Sequence, residues 1–272
     1  MTAEPGISKF ILYEDRSTSN LDLYRIKEYL SSRLNNVELE IRSRFENYFL
    51  DSKTHETTVA IAERLANTKI RDIKDPSKTI KPLLGEINIE KKLLADSFHG
   101  IPGIFYDGYR LHDLFSELLP KDEVAKNICH IIFTPRLFGT FDKYDRRYHA
   151  RVLLCGYPSM ISTSGIIEAP AKPKEYYKIK EGLLRQNITT ISEFVPDELK
   201  EKYLKYNDLR ITEVLIGYTM QVIFFHLTSE PFCTDPSCRL FNAHWQEEVL
   251  NAQFSTPEFC KQHEEILRKY NQ

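Results

Sequence analysis

Four residues near the end of the chain constrain its fold more than any other feature. Cys233, Cys238, Cys260 and His263 follow the spacing C-x4-C-x21-C-x2-H. Zinc prefers four soft or borderline ligands in a tetrahedron. Two thiols on a short loop can bite one side of an ion, and a thiol and an imidazole three positions apart on a helix can bite the other. In "FCTDPSC", Asp235-Pro236 supplies the sharp turn that brings the first two sulfurs together. "FCKQH" falls in the first turn of a last helix, where partial positive charge favours thiolate. The pattern predicts one structural Zn2+ in a C-terminal segment, residues 233–272, joining the end of a long helix to the last one. Two other readings stand beside it: a Cys233–Cys238 disulfide, and free thiols next to a surface histidine.

Five cysteines cannot all pair. The opening "MTAEPGISKFILYEDRSTSN" has no basic stretch leading into a long apolar one, so no signal peptide is expected. Thiols in a cytoplasmic protein are the expectation. Cys129 and Cys155 lie in the apolar segments "NICHIIF" and "RVLLCGY" and read as small buried hydrophobes. The longest apolar run, "EVLIGYTMQVIFFHLTS", is interrupted by Thr219, Gln221 and His226. It reads as a core helix from about Asp208 to Thr228, not as a membrane span.

Upstream, "ISKFILYE" predicts a first strand. A helix follows over "NLDLYRIKEYLSSRLNN", capped by Asn20 or Asp22. "VELEIRSRF" alternates as a half-exposed strand. "TTVAIAERLANTKI" predicts an amphipathic helix. Residues 70–95, charged and carrying Pro76 and Pro82, read as a surface excursion. "NICHIIFTPRLFGTF" predicts a buried strand leaving into a loop. "RYHARVLLCGYPSMISTSGIIEAPAKP" predicts two strands joined at Gly156-Tyr157-Pro158, the second ending at a proline-marked exit. Helices are expected near "KPKEYYKIKEGLLRQ", "AHWQEEVLNAQ" and "TPEFCKQHEEILRKY". Strands mixed with helices imply a single domain over residues 1–272, of α+β or mixed α/β class, with a helical, cysteine-bearing end. With 37 basic and 39 acidic side chains, the net charge of -2 gives neither a nucleic-acid footprint nor a polybasic membrane surface.

The segment "VIFFHLTSEPF", followed at once by "CTDPSC" and later by "FCKQH", resembles the end of the archaemetzincins, zinc metallopeptidases of the metzincin clan. That family carries H-E-x-x-H-x-x-G-x-x-H, then C-x4-C, then F-C-x-x-C. With Cys233 as anchor, Val222 stands at the first histidine and Ile223 at the general-base glutamate. His226 stands at the second histidine, Ser229 at the glycine, Phe232 at the third histidine and His263 at the last cysteine. The family's methionine after the second cysteine corresponds to Leu240. The resemblance implies a twisted sheet beneath a long active-site-type helix, with a zinc-stapled tail. It also implies that the structural-zinc half of the pattern is kept and the catalytic half is nearly gone. Catalytic zinc needs three protein ligands, an open position for water and a carboxylate to take a proton. "HETTV" at 55–59 does not replace the motif, since Val59 stands where its second ligand belongs.

A rebuilt site could draw on His226 with His149 and Glu168, a two-histidine, one-carboxylate set. The plainer alternative makes His226 a satisfied core or cleft residue, turns His149 outward on its strand and leaves Glu168 capping a turn. Three functions follow. The chain could be a peptide- or protein-binding module on a metallopeptidase frame, a divergent metallopeptidase, or a zinc-stabilised protein of unrelated activity. The first is the expectation.

Overall fold

The computed structural model describes residues 7–50, 55–95 and 103–272; the opening six residues, on which the leader reading partly rests, lie outside them. Strand β1 (Lys9–Tyr13) shows how the framework is built. Phe10 and Leu12 point to one face of the sheet, and Ile11 and Tyr13 to the other. All four are buried, so both faces are covered, as parallel sheets require. Asp22 caps helix α1 (Leu23–Arg33), which carries the chain to β2 (Glu38–Arg42), parallel to β1. Helices α2 (Phe45–Leu50), α3 (His55–Asn67) and α4 (Leu84–Leu94) follow, then β3 (Phe105–Asp107) and α5 (Gly108–Leu118). Strand β4 (Ile128–Thr134) lies parallel to β1 on the side opposite β2. Strands β5 (Leu137–Asp142), β6 (Arg147–Arg151), β7 (Leu153–Leu154) and β8 (Ser159–Ser162) complete two sheets.

The larger sheet has the order β2-β1-β4-β8-β7, parallel except for β7 at the edge. The smaller is β3-β5-β6. Helices α6 (Gly165–Glu168), α7 (Lys174–Arg185) and α8 (Asp197–Lys200) lead to α9 (Ile211–Thr228). Then come α10 (Gln246–Phe254) and α11 (Lys261–Tyr270). The result is a mixed α and β fold, as the sequence implies.

Helix α9 has the length and apolar character of a membrane span, yet nearly every residue from Ile211 to Phe224 is buried in the protein. It packs with α1 against the Phe10 face of the sheet. Helix α10 crosses it at Gly217, where a Cβ would lie 1.6 Å from the Gln253 side chain, so any larger residue would displace that buried glutamine. The opposite face of the sheet is covered by α3 and α5 through Leu65, Leu111 and Phe115.

Three expectations change. The stretch from Arg147 to Ser162, expected as two strands joined at Gly156-Tyr157-Pro158, forms three, with β6 in the smaller sheet and β7 and β8 in the larger, because the chain changes sheets at Val152. The chain after β4 does not enter a loop: beyond Pro135-Arg136 it continues as β5, pairing with β3 and β6. The 70–95 excursion is exposed from Ile73 to Lys81 but ends in α4, which buries Leu93, Leu94 and Glu90. Charge misleads there because Glu90 is neutralised within the core. Its carboxylate meets Arg136 at 3.1 Å and Lys69 at 2.9 Å and accepts the Tyr106 hydroxyl at 2.7 Å. Arg136 also binds Glu46.

The last helix closes the fold. The Tyr270 hydroxyl donates to the Ile7 carbonyl at 2.8 Å. Asn271 donates to the carbonyl of Arg33 at 2.8 Å and accepts from the Asn35 amide at 2.8 Å, so the chain's end holds the start of β1 and the end of α1.

Candidate metal centre and adjoining cleft

The four spaced ligands come together. The sulfurs of Cys233, Cys238 and Cys260 and the Nδ1 of His263 all lie within 4.8 Å of one another. The Cys233 and Cys260 sulfurs are 3.9 Å apart, and Cys238 and Cys260 lie 3.7 and 3.0 Å from the His263 nitrogen. Bonds of about 2.3 Å to sulfur and 2.0 Å to nitrogen give tetrahedral edges of roughly 3.5–3.8 Å, so the donor set fits a zinc ion. The turn at Asp235-Pro236-Ser237 is built as expected: the Asp235 carboxylate accepts from the Ser237 amide and hydroxyl at 2.9 and 2.7 Å. Cys260 is the N-cap of α11, and His263 follows within its first turn.

The surroundings are those of a structural site. Cys238 and His263 are buried, and the His263 ring stands edge-on to Phe224 of α9 with centroids 5.1 Å apart. Burial pushes the Cys238 thiol up to about 12, Cys233 upward as well, and the His263 imidazole downward. Apart from a cation, desolvation would keep these groups neutral; a divalent ion at the centre reverses the preference and holds thiolates. The Asp235 amide, 3.3 Å from the Cys233 sulfur, donates toward that charge.

The positions that the resemblance aligns with catalytic groups are mostly apolar. Val222 and Ile223 are wholly buried, so neither faces a cleft. Phe232, on the segment after α9, is partly exposed. His226 stands alone among the three motif histidine positions. Its Nε2 lies 3.3 Å from the Ser159 hydroxyl, and Tyr157 packs edge-on with centroids 4.8 Å apart. Its Nδ1 is buried without a partner, and burial lowers its pKa to about 4, so it is neutral. Tyr157 and Ser159 escaped the sequence reading, although the Gly156-Tyr157-Pro158 turn lies beside them.

The other two candidates are engaged elsewhere. His149, on β6 opposite Thr140, has its Nε2 2.8 Å from the Asp145 carboxylate. Glu168 ends α6, and its carboxylate accepts the Tyr206 hydroxyl at 3.1 Å. Among the described residues, the Cys233–His263 group is the one gathering of three or more His, Cys, Asp or Glu whose donor atoms converge. His226, His149 and Glu168 form no such group, and a catalytic metal therefore has no matching donor set among these residues.

Between the edge strand and α9 runs a cleft of about 110 Å³, walled by Val152, Pro170, Tyr218, Gln221, Phe232 and Asn242. The outer edge of β7 carries no further strand among the described residues.

A family model described as "Probable metallopeptidase family" matches residues 6–270. No curated protein and no solved structure matches the chain.

Proposed function

The chain belongs to the probable metallopeptidase family, and on that footing we propose that it is an archaemetzincin-like member that has given up hydrolysis and retains binding. The resemblance over residues 222–263 supports the finer kinship. So does the long helix α9 laid across a twisted sheet, with the cysteine-bearing segment directly after it.

In this reading one zinc ion sits among Cys233, Cys238, Cys260 and His263 and is structural. Four protein donors close its coordination and leave no position for water. When bound, the ion supplies a cross-link between α9 and α11. The protein's own residues do the rest: Phe224 walls the site, and the Asp235 turn aims two sulfurs inward.

One observation carries the loss of hydrolysis. Helix α9 places Ile223, which cannot accept a proton, and Val222 in the core, leaving His226 without fellow ligands. What remains is an edge strand beside a small cleft of mixed polarity, the arrangement that takes up an extended peptide by strand addition. The proposed partner is accordingly a peptide or protein segment rather than nucleic acid or membrane. Five unpaired thiols suit a reducing compartment, and we place the protein in the cytoplasm.

Elemental analysis tests the metal reading. One zinc per chain is expected, lost in Cys260→Ser and kept in His226→Ala. Peptide hydrolysis that disappears both with a chelator and with His226→Ala would overturn the binding reading and restore a rebuilt active site.

A further inference from the structure

A second and larger cavity, about 550 Å³, opens at the carboxyl ends of β1, β4 and β8. It shares no lining residue with the cleft beside α9. From β1 the chain crosses to β2 on one side, and from β4 it proceeds to β8 on the other. The crevice between β1 and β4 is thus the topological switch point, where open parallel sheets bind ligands. We infer that this cavity is a binding site for a primary ammonium group carried on an apolar stem.

The hydrogen bonds decide the ligand's polarity. A hydroxyl has one proton to give and two lone pairs. Behind the wall lies the buried Asp15 carboxylate, which accepts from the hydroxyls of Ser17 at 2.5 Å, Thr18 at 2.7 Å and Thr163 at 2.7 Å. Ser19 donates to the Asn207 side-chain carbonyl at 2.6 Å, and Tyr206 donates to Glu168 at 3.1 Å. The Ser162 proton is given to the Arg136 carbonyl at 2.8 Å, and its oxygen lies 3.2 Å from the Ser164 hydroxyl. The lining hydroxyls of Ser17, Thr18, Ser19, Thr163 and Tyr206 have thus spent their protons inside the protein. What they offer the cavity is lone pairs, with two carboxylates, Asp15 and Glu168, behind and at the mouth. Such a wall wants a donor.

Several anion anchors near the cavity are engaged as well. The amides at the head of α1, Tyr24 and Arg25, are taken by the Asp22 carboxylate at 3.0 and 3.1 Å. The Gly165 amide is taken by Ser162 at 2.8 Å. The Arg136 guanidinium faces Glu46 and Glu90, and its one unpartnered nitrogen, Nε, is buried away from solvent. The nearby Lys172 ammonium is stacked over Tyr176 and Tyr203, 4.8 and 5.4 Å from their centroids. The remaining wall is apolar: Leu93, Ile104, Leu137, Ile167 and Ile211. An alkyl or aryl stem fits there, with its ammonium turned to the hydroxyls and Glu168.

The ammonium could belong to a free amine or to a lysine side chain of a peptide, and amide chemical shifts of the full-length protein separate the two. The probes are 4-phenylbutylammonium, its alcohol and its carboxylate analogues, and acetyl-lysine N-methylamide. The free amine is expected to saturate with a dissociation constant on the order of 1 mM, given the usual ligand efficiency of a small molecule. Its shifts should centre on residues 17–19, 163–168 and 206–207, and the alcohol should bind more weakly. Stronger binding of the lysine derivative would identify a peptide source for the same ammonium chemistry. Glu168→Gln, a surface change, should weaken the amine about three- to fivefold and leave the alcohol unchanged. Ser164→Lys, which sets the protein's own ammonium at the wall, should abolish amine binding. Carboxylate binding as tight as the amine's, shifts centred elsewhere, or no saturable binding by any probe would overturn the inference.

Discussion

His226 illustrates what one side chain can report. Its folded pKa, about 4, lies below the ordinary 6.5 because burial penalises the imidazolium. Between those values the unfolded chain binds a proton that the folded chain refuses, so stability is full above pH 6.5 and falls as pH drops toward 4. The shift corresponds to at most about 3 kcal/mol, less what partial exposure restores. Urea unfolding followed across this window should show a smaller acid loss in His226→Leu than in the parent. Equal slopes would mean that the imidazole is hydrated. The sequence marks this histidine as an oddity in an apolar helix, but nothing local tells that Ser159 and Tyr157, some seventy positions upstream, enclose it. Glu168 was legible only as a carboxylate; its place at the mouth of the switch-point cavity depends on Tyr206 and on the strand order.

At the scale of elements, α4 is held by one carboxylate. Glu90 is wholly buried and answers Arg136, Lys69 and Tyr106 together. Removing one member of a buried ion cluster leaves uncompensated charge, at a cost of about 3–5 kcal/mol. Glu90→Ala should lower the urea midpoint accordingly, and a change below about 1 kcal/mol would show that the cluster is hydrated. A run such as "IEKKLLA" reads as solvated because its partners lie 21 and 46 residues away in sequence. Elements with local periodicity were easier: β1, α1, β2, α3 and α9 all fall where alternation or helical spacing puts them. Strand β5 was missed because Pro135 signals an exit, whereas the chain only bends there and finds β3 and β6 as partners.

For the whole molecule, the proposed zinc ion would be a large contributor to stability. Apparent zinc affinities in small domains amount to about 10–16 kcal/mol, comparable with a typical domain's entire stability of about 5–15 kcal/mol. A chelator is therefore expected to lower the melting temperature and to speed amide hydrogen exchange in α10 and α11 ahead of the central strands. Unchanged exchange in those helices would remove the ion from the account. The four-ligand spacing made this centre readable, because ligand chemistry is local in sequence on each side of the ion. The switch-point cavity was not readable, since it depends on the order in which five strands sit. The clasp of Tyr270 and Asn271 on Ile7, Arg33 and Asn35 carries a further consequence for how the protein is made. Ribosomes add about 5–20 residues per second, so roughly ten to fifty seconds separate the emergence of α1 from that of the helix that secures it. During that interval β1 and α1 wait without their fastening, and there a chaperone would find its opening.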